Sequence, residues 1–124
     1  MKTAAITGAT GFIGRRLVDE LIKDGWEVTA IVRSDDKLPR EVKALFADIT
    51  EASTLDEISV RADVLFNLAA LITFDPSRLN DLLTVNRDGT ANVLAAARKW
   101  SIGRFVLASS ACTVGISEAP DEVL

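Results

Sequence analysis

Short apolar runs alternate with amphipathic stretches along the whole chain. The apolar runs have strand length and predict β-strands at residues 4–7, 27–32, 44–47, 63–68 and 104–108. The stretches with helical periodicity predict α-helices at residues 12–23, 54–59 and 76–100. Residues 38–44 contain a proline and predict a loop or one or two isolated turns.

Residues with cap or turn preferences mark the ends of these helices. Gly25 stands where the C-terminal cap of the first helix belongs, and Gly103 is the predicted stop of the long helix. Thr50 or Ser53 is the expected N-cap of the second helix. The residues after Ser110 are polar and predict a loop.

Alternation of strands and helices, with strands that are apolar throughout, is typical of a parallel sheet covered on both faces. We therefore predict one domain over residues 1–124, an α/β doubly wound, Rossmann-like sheet of about five strands in the order 3-2-1-4-5. In such a sheet the ligand crevice lies between the first and fourth strands, where the winding direction reverses.

The composition excludes several kinds of site. The 124 residues contain no histidine, no tyrosine and one cysteine, so they hold no histidine-based triad, no internal disulfide and no expected metal site. The net charge of −4 disfavours nucleic acid as a partner. No apolar run has the length of a membrane span, so we expect a cytoplasmic protein with no membrane partner.

Three glycines connect the first strand to the first helix. Gly8 allows a tight turn, Gly11 allows the backbone to approach a phosphate, and Gly14 allows close packing of helix on strand. The N-terminus of the helix then presents N–H groups and the positive end of its dipole to a pyrophosphate. The alternative is a loop whose glycines serve only to turn the chain.

The segment Thr-Gly-Ala-Thr-Gly-Phe-Ile-Gly resembles the fingerprint of the extended short-chain dehydrogenase/reductase family, which includes NAD-dependent epimerases/dehydratases and dihydroflavonol-type reductases. The resemblance extends from Lys2 to about Gly115. It implies hydride transfer between a nicotinamide and a carbonyl or alcohol carbon. It also implies that a dinucleotide is held by Gly8, Thr10, Gly11, Phe12, Ile13 and Gly14.

The end of the second strand indicates which cofactor is preferred. Where NAD-dependent members carry an acidic residue, this chain has Val32, followed by Arg33. A guanidinium can pair with a 2′-phosphate, so the resemblance implies NADP, with NAD as second choice. Ser34 and Arg15 are candidates for additional contacts. The alternative is an arginine that is solvated at the end of its strand.

Further segments resemble other parts of the family's cofactor site. The resemblance assigns Asp48 and Ile49 to the adenine, and Asn67, Ala69 and Ala70 to the cofactor at the end of the fourth strand. Asn67 replaces a histidine that is common in extended members. This difference leaves the local hydrogen bonding open.

The segment Val-Asn-Arg-Asp-Gly-Thr-Ala-Asn also matches a family pattern. Asn86 and Asn92 within it are expected to be mainly structural, with Asn86 also assigned to the cofactor site and a candidate to organise water there.

The end of the fifth strand resembles the family's reaction centre. Ser110, or Ser109 as second choice, would hydrogen-bond the reacting substrate oxygen, and Ser109 is also expected to contact the cofactor. The alternative is that both hydroxyls bond to backbone at the strand end. Cys112 is expected to be a small buried filler.

The family's proton donor, the tyrosine of a Tyr-x-x-x-Lys pair, is not among these residues, because the chain has no tyrosine. We therefore expect the NAD(P)-binding part of a longer reductase, epimerase or dehydratase, truncated and inactive alone. Two alternatives stay open: a stand-alone dinucleotide sensor or interaction module, and a folding remnant that associates. A small-molecule substrate is expected only for a full-length form, and a homo-oligomer is possible.

Overall fold

The computed structural model describes residues 1–34, 37–115, 119 and 121, and its centre is a five-stranded parallel sheet. The strands are β1 (Thr3–Thr7), β2 (Glu27–Val32), β3 (Lys43–Phe46), β4 (Val64–Asn67) and β5 (Arg104–Leu107). Their order is β3-β2-β1-β4-β5. The predicted doubly wound α/β fold and its strand order are confirmed.

Helices cover both faces of this sheet. They are α1 (Phe12–Lys23), α2 (Ala52–Asp56), α3 (Leu79–Leu82) and α4 (Thr90–Lys99). A 3₁₀ turn at Pro76–Arg78 precedes α3, a π-helical segment at Leu83–Gly89 joins α3 to α4, and a second 3₁₀ turn lies at Ala111–Val114. None of the helices in the described part of the chain has the length and apolar character needed to cross a bilayer.

The buried side chains form one core on each side of the sheet. Side chains alternate between the two faces of a strand, so Ile6 of β1 packs in the cluster under α1 and Ala5 packs in the cluster under α2 and α4. Val18 contributes to the first cluster, and Leu55 and Val93 to the second.

The long helix predicted over residues 76–100 is present as a continuous helical stretch from Pro76 to Lys99, but it is not α-helical throughout. Four helical pieces occupy that stretch, with the π-helical segment in the middle. Gly89 at the end of this segment packs directly on the Ile49 side chain, because a Cβ on Gly89 would lie 2.9 Å from Ile49 Cδ1. A contact with a residue so distant in sequence is not visible in the local periodicity.

Two predicted helix caps are wrong. The N-cap of α2 is Glu51 and not Thr50 or Ser53. Helix α4 ends before Gly103, because Ser101 takes the left-handed conformation at φ 57° and Ile102 N donates to Ala97 O at 3.0 Å. This is the αL ending that glycine most often provides.

Candidate functional site

The loop between β1 and α1 is compact because it has no side chains at its glycines. Gly8 has φ +73°, and a Cβ there would lie 2.6 Å from the amide nitrogen of Ala69. A Cβ on Gly14 would overlap the carbonyl oxygen of Gly8. Gly11 N donates to Gly8 O at 3.1 Å and closes the turn. Helix α1 is therefore packed directly against the loop that precedes it.

Helix α1 begins without a side-chain cap. Its N-cap is Gly11, whose backbone is extended and whose residue type provides no capping group. The first N–H groups of a helix have no acceptor within the helix, and the helix dipole adds positive potential. Arg15 Nε donates to Thr10 O at 2.8 Å, which fixes the loop beside these groups. The arrangement suits an anion such as a pyrophosphate.

A cleft of about 890 Å³ lies at the carboxyl ends of the central strands. Eight residues that the sequence assigns to the cofactor line it, namely Gly8, Thr10, Gly11, Arg33, Asp48, Ile49, Ala69 and Ala70. Its volume is within the range of roughly 300–1,000 Å³ that small-molecule sites occupy.

The cleft also has lining residues that sequence reasoning did not assign to the cofactor. Among them are Thr7, Thr50, Leu71, Arg78, Asp81, Thr84 and Val85. Leu71 directly follows the predicted Ala69–Ala70 pair, so continuing that segment by one residue would have found it. Thr84 and Val85 lie just before Asn86 and give no chemical signal of their own.

Opposite charges lie at the β2–β3 end of the cleft. Asp48 Oδ1 accepts hydrogen bonds from Thr50 N at 2.9 Å and from Thr50 Oγ1 at 2.7 Å. These bonds, with a smaller contribution from the positive charge of Arg33, hold the pKa of Asp48 below its usual value. This end of the cleft therefore presents a carboxylate and a guanidinium together.

Asn67 lies behind the cleft and does not line it. The side chain is 1% exposed, its Oδ1 accepts from Thr7 Oγ1, and its Nδ2 donates to Thr90 Oγ1 at 3.4 Å. Thr7 Oγ1 in turn accepts from Ala69 N at 3.3 Å. Asn67 thus links β1, β4 and α4, because its amide bonds to protein on both sides.

The two asparagines of the long helical region bond to the loops that form the cleft. Asn86 pairs with the backbone of Leu71, and Asn92 Nδ2 donates to Ile49 O at 2.9 Å. Neither side chain lines the cleft, so the structure brings the predicted cofactor residue Asn86 to the loop beside the cleft and not to its wall.

The other predicted site residues lie elsewhere. The Phe12 side chain is 97% exposed and, with Ile13, lines a separate hollow on the outer face of α1, so only their backbone lies beside the glycine loop. Gly14 is buried beneath that loop.

Ser109 and Ser110 are exposed after β5 and do not line the cleft. The Ser110 hydroxyl accepts from Cys112 N at 3.1 Å and caps the 3₁₀ turn that begins at Ala111. The expectation that Cys112 is buried is wrong, since this turn leaves it exposed.

Comparisons with known proteins agree with this geometry. A ceramide reductase of Caulobacter vibrioides is 39% identical over 110 residues, covering 86% of this chain and 34% of the relative. An anthocyanidin reductase of Vitis vinifera is 30% identical over 132 residues, covering 94% of this chain and 38% of the relative. The solved structure of MoeE5 in complex with UDP-glucose and NAD superposes with a TM-score of 0.79 at 28% identity, covering 98% of this chain and 42% of that one.

The chain therefore spans just over a third of the length of these two curated relatives. The model of the NAD dependent epimerase/dehydratase family matches residues 4–124. The resemblance seen in the sequence is confirmed, and the chain belongs to the NAD dependent epimerase/dehydratase family.

Proposed function

We propose that this chain binds a nicotinamide dinucleotide in the cleft, with the pyrophosphate at the glycine loop. The observation that carries the proposal is the loop itself, which leaves no room for a Cβ at Gly8 or Gly14 and brings the N-terminus of α1 to the cleft wall. The adenosine lies toward Arg33, Asp48 and Ile49. The nicotinamide lies on the other side of β1, toward the loop at residues 68–71.

The preferred cofactor in this proposal is NADP(H). Val32 is buried and offers no carboxylate to the adenosine ribose, whereas Arg33 beside it is exposed at the cleft wall. A guanidinium pairs with a phosphate through charge-assisted hydrogen bonds, which are about twice as strong as neutral ones. Arg33 therefore favours a 2′-phosphate over a free 2′-hydroxyl.

For the whole protein we propose a reductase that transfers hydride between the nicotinamide and a carbonyl or alcohol carbon. The bound nicotinamide supplies the hydride chemistry. Two relatives named as reductases support this choice over an epimerase. Ser110 would hydrogen-bond the substrate oxygen. The phenol that the family resemblance implies as proton donor is not among these residues, since the chain has no tyrosine.

Calorimetric titration with NADPH and NADH tests the cofactor proposal. We expect wild-type chain to bind NADPH about tenfold more tightly, because a hydrogen bond to a charged group contributes about 1.5–3 kcal/mol. Arg33→Ala should remove this preference, whereas Arg61→Ala, which removes an exposed arginine outside the cleft, should keep it. Tighter binding of NADH would contradict the NADP preference, and no binding of either at about millimolar concentration would contradict the function.

A further inference from the structure

Two loops form opposite ends of the cleft, and one helical region holds both. The loop after β4 contributes Leu71 to the lining, and the loop after β3 contributes Ile49. Each is bonded through its backbone to the amide of an asparagine, and both asparagines lie between residues 83 and 99.

Asn86 holds the loop after β4 through both atoms of its amide. Its Oδ1 accepts from Leu71 N at 2.8 Å, and its Nδ2 donates to Leu71 O at 2.9 Å. A side-chain amide that pairs with both backbone groups of one residue fixes the position and the orientation of that peptide. The pair is exposed to solvent, so it contributes less to overall stability than a buried pair would.

Asn92 holds the loop after β3 at a different point. Its Nδ2 donates to Ile49 O at 2.9 Å, and the Ile49 side chain packs on the helix surface at Gly89. The neighbouring Asp48 is fixed within the same loop by its bonds to Thr50. The contacts of Ile49 thus join the adenosine-side loop to the helix, alongside the bonds at 2.9 Å by which Thr54 Oγ1 accepts from Asp48 N and donates to Asp48 O.

The helix changes its geometry between the two asparagines. Asn86 lies in the π-helical segment, whereas Asn92 lies in α4. π-Helical turns are rare and occur frequently at functional sites. Here the segment also brings Thr84 and Val85 to the cleft wall, one turn before the point where Gly89 meets Ile49.

We propose that Asn86 and Asn92 are positioning residues that set the two ends of the cleft separately. Asn86 positions the nicotinamide end through Leu71, and Asn92 positions the adenosine end through Ile49. This proposal rests on the proposed function, because it assumes a dinucleotide in the cleft with its adenosine toward Asp48.

Two ligands that differ only at the nicotinamide end separate the two roles. We would titrate NADPH and 2′-phospho-ADP-ribose, which lacks the nicotinamide, against wild type, Asn86→Ala and Asn92→Ala. Asn80→Ala is the matched control, because Asn80 is an exposed asparagine of α3 that does not line the cleft. Thermal unfolding of each variant reports whether it is folded at the titration temperature.

We expect Asn86→Ala to weaken the binding of NADPH by about three- to tenfold and the binding of 2′-phospho-ADP-ribose by less than about twofold. Asn92→Ala should weaken the binding of both ligands by about the same factor, and Asn80→Ala should leave the binding of both unchanged. Asn86→Asp keeps the acceptor for Leu71 N and loses the donor, so it should give an intermediate loss for NADPH alone. It also replaces Asn86→Ala if the alanine variant does not fold.

Equal losses of affinity for both ligands in the Asn86 variants would overturn the division of roles. Unchanged affinity for both ligands in these variants would overturn it as well. A wild-type chain that binds neither ligand would instead contradict the proposed function, and the inference with it. Binding by wild type therefore distinguishes the two failures.

Discussion

The central strand β1 and the edge strand β5 differ in how deeply they are buried. In β1, four of the five residues are buried, whereas no residue of β5 is buried. Leu107 at the end of β5 is 48% exposed, and the two serines that follow are exposed as well. In this chain the proposed pyrophosphate position thus follows a buried central strand, and the proposed reaction centre follows an exposed edge strand.

Packing explains this difference. β1 pairs with β2 and β4 and contributes side chains to the cores on both faces. Within the described residues, β5 pairs with β4 alone, and its Phe105 packs into the core under α4, while Val106 is exposed. The comparison of β1 with β5 teaches that the pyrophosphate position is formed by close backbone contacts, whereas the proposed reaction centre is formed by side chains at the end of an edge strand. Substitutions in and beside the central strands should therefore destabilise the chain more than substitutions at the end of β5.

The largest effect is expected for Gly14→Ala. The added Cβ would overlap the Gly8 carbonyl oxygen, so the loop or α1 must shift, at a cost of about 3 kcal/mol in the free energy of unfolding. NADPH binding should be lost. Chemical denaturation and calorimetry measure the two effects. Gly103→Ala is the control, because its Cβ would lie 3.5 Å from Asp63 O, which is an ordinary contact. Normal binding of NADPH by Gly14→Ala would contradict the prediction.

The next largest effect is expected for Asn67→Ala. The change leaves the buried hydroxyl of Thr7 without its acceptor and should lower the free energy of unfolding by about 2 kcal/mol. Ser110→Ala, at the exposed end of β5, should cost less than about 0.5 kcal/mol. Urea denaturation measures both free energies of unfolding, and equal losses would remove the contrast between the central strands, where Asn67 lies, and the edge strand β5.

A smaller effect is expected at the ends of α1 and α4, which use the same αL geometry with different residues. Gly25 has φ 77° and Ser101 has φ 57°. Ser101→Gly should raise the free energy of unfolding by about 0.5–1 kcal/mol, and Gly25→Ala should lower it by about 1 kcal/mol. Thermal unfolding measures both variants. If Ser101→Gly lowered the free energy of unfolding, the prediction would be wrong, because the Ser101 side chain would then contribute more stability than its αL backbone costs.

The smallest effect concerns pH and the adenosine-side loop. The pKa of Asp48 in the folded chain is lowered, mainly by the hydrogen bonds from Thr50. Its stabilising contribution is therefore present above the pKa of the unfolded chain and is lost as the pH falls through the lower, folded pKa. Asp48→Asn should show less loss of stability below about pH 4 than wild type in urea denaturation. Thr50→Val, which removes the hydrogen bond from the Thr50 hydroxyl to Asp48, should reduce in part the pH dependence of the free energy of unfolding. If both variants lost stability with falling pH in the same way as wild type, the prediction would be wrong.

Periodicity and turn residues were enough to predict the sheet order and the bounds of α1, because those signals are local. The π-helical segment was not predicted: within it Asn86 bonds to Leu71 and Gly89 packs on Ile49, and contacts between such distant parts of the chain leave no signal in the local periodicity. The glycine fingerprint located the loop but could not show that the Phe12 side chain points away from the cleft.

The central claim is that a dinucleotide binds across the carboxyl ends of the central strands. A ¹H–¹⁵N correlation spectrum of the labelled chain, recorded with increasing NADPH, tests it most directly. We predict that the largest shifts occur at the amides of Gly8, Gly11, Arg33 and Thr50, all of which line the cleft. Shifts concentrated at Arg16, Asp19 and Glu20 on the outer face of α1, or an unchanged spectrum, would contradict the claim.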